Sequence, residues 1–259
     1  MKTSHLLALF TAMLPLGPVL ASPVDANDGR PEKPNIIILL TDDLGWQDVK
    51  CYDVDEESPM ETPSMDALAK NGVKFWQGYS PCPTYAPTRS AILSGIHGDR
   101  SQKTHVVGGA PPAPHGNQWR VMAPWYSGRM PVETYSIASA LRDVGYETGH
   151  CGKWHIAISH HAYPQPKDHG FNWTQSNLGV TRKMSPHRLT GFSTQKEDDP
   201  YKLDDNGYST HQNSLDALEF VSTHKEKPFF LYYATWLVHT PIHTRNERLL
   251  DKYCKKQVQ

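Results

Sequence analysis

Five aliphatic residues in a row, Ile36-Ile-Ile-Leu-Leu40, stop abruptly at Thr41-Asp42-Asp43-Leu44-Gly45. An unbroken apolar run of this length, rich in β-branched side chains, suits a strand buried on both faces, as in a parallel sheet. Downstream, Thr62 to Gly72 carries a helix's punctuation: Thr62 as cap, Pro63 at the first position, Gly72 as stop. Val73 to Tyr79 reads as a second strand. Ser80 to Gly95 reads as a tight turn feeding a short helix that ends at the glycine. Ser136 to Gly145 is another capped helix, with Ile137, Leu141 and Val144 on one face. Tyr146 to Ile156 returns as strand and turn, Thr210 to His224 as helix, Pro228 to Ala234 as strand, and Arg245 to Lys256 as a surface helix. Strands alternating with helices predict an α/β sandwich with a mostly parallel central sheet and helices on both faces.

In such sheets, sites gather just beyond the carboxyl ends of the strands. Three polar clusters fall at such ends: Asp42-Asp43, Lys153 with His155, and His239. Adjacent aspartates offer hard oxygen ligands suited to Ca²⁺ or Mg²⁺, though the same pair also suits a capping turn. Two aspartates cannot complete the six to eight oxygens calcium takes. Lys153 can hold an anionic oxygen, and a histidine can shuttle a proton. In an extended segment Lys153 and His155 would point the same way. A helix entered from a tight turn also presents backbone N–H groups to an anion. Tyr85 stands at that entry, with Cys82, Thr84 and Thr88 nearby and Arg89 one turn in.

The chain's 259 residues suffice for one α/β domain. Lys2, the apolar run Leu6 to Leu20 and the small residue Ala21 read as an export signal, residues 1–21, followed by a lead-in over 22–33. The expected product is secreted or periplasmic, with no membrane span once the signal is cleaved. With 26 basic against 27 acidic residues, the net charge of −1 argues against a nucleic-acid partner. In an oxidising compartment the four cysteines allow up to two disulfides, in any of three pairings. His150, Cys151 and His155 do not have a standard zinc spacing. The tract 97–131, rich in Gly, Pro and His, is long for a loop inside a compact domain, which points to function or disorder.

The order of these pieces is more specific than any one of them. Ile36 to Gly45 resembles the opening of the sulfatase family, a branch of the alkaline phosphatase superfamily. Thr62 to Phe75, Pro87-Thr-Arg-Ser-Ala-Ile-Leu-Ser-Gly95, Gly152-Lys-Trp-His155 and Val238-His-Thr-Pro241 resemble its later blocks, in family order. The resemblance implies an alkaline-phosphatase-like fold over residues 34–259 and hydrolysis of sulfate esters, on a sulfated small molecule or glycan. In that family a cysteine in a Cys-x-Pro-x-Arg motif is oxidised to formylglycine, whose hydrate attacks the ester. By resemblance Asp42 and Asp43 would ligate calcium and Arg89 would orient the hydrate. Lys153 would bind sulfate, and His155 and His239 would serve as acid, base or sulfate ligand.

Two departures qualify this. Tyr85-Ala-Pro-Thr-Arg89 fills the motif frame, so a tyrosine stands where formylglycine would form, and Cys82 is out of frame. Family members also continue beyond the His-Thr-Pro block with further calcium ligands and another lysine. This sequence ends at Gln259, so an incomplete calcium site and a sheet short of strands are expected. Asp204-Asp-Asn206 precedes a helix but comes out of order, and reads as a cap. The expected function is therefore sulfatase chemistry impaired at Tyr85. A non-catalytic module that binds sulfated glycans is one alternative, and a phosphoesterase of the same superfamily is another.

Overall fold

The structure is a computed structural model that describes residues 29, 31–53, 56–106, 125–158, 162–175, 201–203, 209–239 and 247–256. The chain divides into two units, Met1–Glu32 and Lys33–Gln259, and the fold below is that of the second. The expected signal sequence, most of the lead-in, and Asp204-Asp-Asn206 lie outside the described residues.

Four parallel strands form the central sheet: β1 (Ile36–Leu40), β2 (Glu147–Gly152), β3 (Trp173–Gln175) and β6 (Phe229–Ala234), in the order β1-β6-β2-β3. A separate antiparallel pair, β4 (Tyr201–Leu203) and β5 (Ser209–His211), precedes helix α5 (Gln212–His224). The two faces of the sheet are covered by different helices. Phe230, Tyr232 and Ala234 of β6 meet Leu93 of α2 (Tyr85–Ser94), Ala138 of α4 (Ile137–Asp143), Trp154, Ile156 and Phe171 in one apolar cluster. Phe229 and Leu231 point the other way, against Ala217 and Phe220 of α5. The period-two alternation of β6 thus divides its side chains between two cores, which gives the expected sandwich. The remaining helices are α1 (Pro63–Asn71), the single turn α3 (Gly98–Ser101) and α6 (Glu247–Lys255).

The strands buried on both faces are β2 and β6, not β1. In β1 only Ile36, Ile38 and Leu40 pack on a core, whereas Ile37 and Leu39 are 52% and 58% exposed. The reason is position: β1 is an edge strand of the described sheet, and the core under α5 is built on β6, β2 and Trp173 of β3. Val73 to Tyr79 is not a strand either. Its Lys74 donates to the Cys51 carbonyl at 2.6 Å and stands 3.9 Å from the Trp76 ring centroid, while Val73, Phe75 and Tyr79 face outward. Such local contacts hold the segment in a turn, so its apolar residues never reach a sheet. Thr62 does precede α1, but its hydroxyl serves Lys50 N (2.9 Å) and Asp66 (3.0 Å) instead of capping the helix. Val144 is the cap residue that ends α4 and is exposed, so only Ile137 and Leu141 of the expected face pack on the core. All four cysteines are free, so the structure forms none of the allowed disulfides.

One residue of this core carries a charge liability. His150 on β2 is fully buried and packed by Trp154, Tyr232 and Phe171. Burial, helped by the Arg89 charge, pushes its pKa down to about 3 from the ordinary 6.5. Between those values the unfolded chain binds a proton that the folded chain refuses, so stability falls as pH drops below 6.5. At pH 5 this group alone is expected to cost about 2 kcal/mol. His150→Phe should flatten the melting-temperature profile between pH 7 and pH 5. An unchanged acid limb would show that other groups set it.

Candidate active site

Pairing register places the candidate residues. Leu40 pairs with Ala234, and Ala234 with Gly152, so β1, β6 and β2 end side by side. The backbone stays tied beyond those ends: Thr235 N donates to Leu40 O (3.0 Å), Lys153 N to Ala234 O (2.7 Å), Asp42 N to Leu237 O (2.9 Å) and Val238 N to Asp42 O (2.7 Å). Gly152 is required at this junction. Its φ is +93°, and an added Cβ would lie 2.0 Å from Ala234 O. Helix α2 begins at Tyr85, closes at left-handed Gly95 and brings Arg89 to the Lys153 carbonyl at this junction.

Asp42, 2% exposed, accepts from Lys153 Nζ on Oδ2 and from Arg89 Nη2 at 3.4 Å on Oδ1. Arg89 also donates through Nη1 to the Lys153 carbonyl at 2.7 Å. Both cations are 1% exposed. The half-buried Tyr85 ring lies in front of this group. Lys153 Nζ stands 3.3 Å from its centroid, a close cation–π contact, and 5.0 Å from that of Trp236. The His155 ring is 5.0 Å from the Tyr85 ring and the His239 ring 6.1 Å. His239 Nε2 is 3.7 Å from Asp43 Oδ2.

All seven residues singled out in the sequence therefore meet at one place. Strand alternation is not what brings His155 there: it lies past the end of β2, in the left-handed region at φ 48°, as does Asp43 at 61°. Two neighbours escaped the sequence reading. Trp236 had a weak signal, an aromatic residue at a strand end just before His239. Lys103 had none, being one lysine in a polar tract.

The electrostatics follow from burial. It pushes the Tyr85 phenol up to about 12, with Asp42 adding to the rise and Arg89 opposing it. It pushes Lys153 down to about 8, against the pull of Asp42. It pushes His155 down to about 4, helped by the charges of Lys153, Lys103 and Arg89. At neutral pH the site thus presents a charged ammonium and guanidinium, a neutral imidazole and a neutral phenol. Such a set can hold an anion and accept a proton, but it offers no activated nucleophile.

Calcium fits these residues only in part. Asp42 and Asp43 are oxygen donors of the right kind, yet both Asp42 oxygens already accept from Lys153 and Arg89. Among the described residues no group of three or more His, Cys, Asp or Glu is placed to share a metal. The described residues do not make a calcium site by themselves.

The sequence model of the family described as Sulfatase matches residues 34–259. N-acetylgalactosamine-6-sulfatase of Mus musculus is 28% identical over 244 residues, covering 85% of this chain and 43% of that protein. Steryl-sulfatase of Homo sapiens is 32% identical over 185 residues, covering 66% of this chain and 28% of that protein. Among solved structures, Ps i-CgsB in complex with k-i-k-neocarrahexaose superposes with a TM-score of 0.58 at 25% identity, over 85% of this chain and 48% of that one. The chain spans less than half the length of the curated relatives it matches.

Proposed function

The chain belongs to the sulfatase family, and from that premise we propose that its site recognises sulfate esters of carbohydrates and hydrolyses them weakly, limited by Tyr85. The observation that carries this reading is the Tyr85 ring, set against Lys153 Nζ at 3.3 Å where the family motif places its reacting group. In this reading Lys153 and Arg89 hold sulfate oxygens, and neutral His155 accepts a proton. His239, leaning on Asp43, takes a further sulfate contact or the leaving alcohol. The N-acetylgalactosamine-6-sulfatases and the carrahexaose complex among the relatives support a sulfated sugar as the ligand class.

Tyr85 also favours the second reading, binding without turnover. A phenol whose pKa is about 12 is almost wholly protonated at pH 7 and is a poor nucleophile. It has a single oxygen, so a sulfated tyrosine would need an external water to release its sulfate, whereas a formylglycine hydrate has a second hydroxyl. Calcium enters this reading as a proposal for Asp42 and Asp43 alone, completed by donors from outside the described residues, and no catalytic step is derived from it. Secretion or periplasmic export is proposed from the N-terminal sequence. Among the described residues no helix is long and apolar enough to cross a membrane.

The test compares a sulfated N-acetylgalactosamine with the unsulfated sugar by titration calorimetry, with sulfate release measured in parallel. Saturable binding is expected for the sulfated sugar alone. Lys153→Met should weaken it by roughly 10- to 100-fold, the size of one charge-assisted contact. Equal affinity for the two sugars would refute a sulfate site.

A further inference from the structure

Lys103 lies beside this site but outside the set the sequence singled out. It follows α3, and its side chain is 1% exposed. A Cβ placed on Gly98 would lie 3.0 Å from the Lys103 carbonyl and 3.8 Å from Pro87 Cβ, so Lys103 backs onto the first turn of α2. Its ammonium donates to the Gly128 carbonyl at 3.1 Å. Just beyond, Met130 N donates to Ile156 O at 3.0 Å. Lys103 is thereby held between the helix that opens at Tyr85 and the segment that carries His155.

An ammonium is costly to bury unless a counter-charge is at hand. Lys153 has one in Asp42, and Arg89 shares it. Asp43 leans on His239. Among the described residues Lys103 has a single backbone carbonyl as partner, and no carboxylate stands within ion-pair distance of it. Burial alone, with no acid to counter it, pushes its pKa down to about 8, so it is still mostly charged at pH 7. Two cations and two carboxylates of the site offset one another, and Lys103 is a cation beyond that balance. Its burial is no objection to contact with a ligand, since Lys153 is buried to the same degree.

We propose that Lys103 is a second anion-binding cation of this site, taking a further acidic group, sulfate or carboxylate, of the same sulfated sugar. The inference rests on the sulfate-ester reading above and adds a preference for sugars that carry more than one acid. A lysine with a purely structural role would behave differently. Its loss would lower stability and weaken every ligand alike, whereas removing an uncompensated buried charge relieves the fold.

The experiment uses the full chain and three probes: a monosulfated N-acetylgalactosamine, its disulfated counterpart, and a monosulfated disaccharide bearing a uronate. The wild type should bind at least one dianionic sugar roughly tenfold more tightly than the monosulfated one, the scale of one added charge-assisted contact. Lys103→Met should erase that advantage, leave the monosulfated sugar within about twofold, and melt at or above the wild-type temperature. Lys103→Arg should keep most of the advantage. Whichever dianionic sugar gains more identifies the acid. The proposal is overturned if Lys103→Met keeps the advantage, or if it weakens all three probes equally and melts lower. A wild-type chain that binds none of the three fails at Lys153 and removes the sulfate-ester reading itself, whereas wild-type binding without any dianionic advantage removes Lys103 alone.

Discussion

Tyr85→Cys, produced together with the enzyme that oxidises Cys-x-Pro-x-Arg cysteines, is expected to carry formylglycine and to raise aryl sulfate hydrolysis about a thousandfold or more. That is the order of loss seen when hydrolases are deprived of their nucleophile. The frame for conversion is already present, since Ala86, Pro87, Thr88 and Arg89 follow in the required positions. Two physical changes add up at this one residue. The phenol, held near a pKa of 12 by burial and by Asp42, gives way to an aldehyde hydrate with one oxygen to attack and another to expel sulfate. The ring that stands 3.3 Å under Lys153 Nζ also disappears, which frees the ammonium for an anion. Peptide mass reads the thiol-to-aldehyde conversion independently of turnover. Tyr85→Ser, which removes the ring but cannot be converted in this way, should tighten sulfate binding with little gain in rate. Full conversion without faster hydrolysis would show that position 85 is not what limits this site.

What could be read in the sequence, and what could not, divides along the range of the forces involved. The sheet order was hidden, but the strand ends were not: Asp42-Asp43, Lys153 with His155, and His239 each follow a strand segment, where a parallel sheet gathers its polar groups. Helix α2 was equally legible, because Gly95 is its left-handed stop. Burial of β1 was misjudged because five aliphatic residues look alike in a central strand and in an edge strand. Only the pairing with β6, and the reach of α5, distinguish the two. Val73 to Tyr79 failed for a related reason. Strand propensity is a statement about a surface to pack on, and in this segment Lys74 and Trp76 pack on each other and on Tyr52 instead. Within the site, the two-residue spacing of Lys153 and His155 suggested a shared face, yet they converge on Tyr85 through the left-handed backbone of His155. The counter-charges were out of reach altogether. That Asp42 serves Lys153 and Arg89, while Lys103 meets the Gly128 carbonyl, depends on contacts between residues far apart in the chain.

Asp42→Asn tests the electrostatic core of the site, and it should destabilise the chain by about 3–5 kcal/mol, the usual cost of breaking a buried charge pair by removing one partner. Asp42 is 2% exposed and is the carboxylate that both Lys153 and Arg89 face. Its loss leaves two like charges, each 1% exposed, with Arg89 unable to shed its proton. For a domain of this size the loss corresponds to a melting temperature lower by about 10 °C. The pH dependence has a definite sign. Lys153 titrates near 8 in the folded chain, below its ordinary 10.5, because burial outweighs the pull of Asp42. Removing Asp42 lowers it further. Between the folded and unfolded values the unfolded chain binds the extra proton, so stability rises with pH across that window. The window opens at lower pH in the variant than in the wild type. The gap between the two proteins should therefore be widest at and below pH 7 and narrower by pH 9, where Lys153 is largely neutral in both. Arg89 keeps part of the gap open at every pH. Asp43→Asn is the control: its carboxylate is about half exposed and stands 3.7 Å from His239, so it should cost at most about 1 kcal/mol. If the two aspartates prove equally dispensable in thermal melts, Lys153 and Arg89 are not held by Asp42, and the anion site has to be built on other groups.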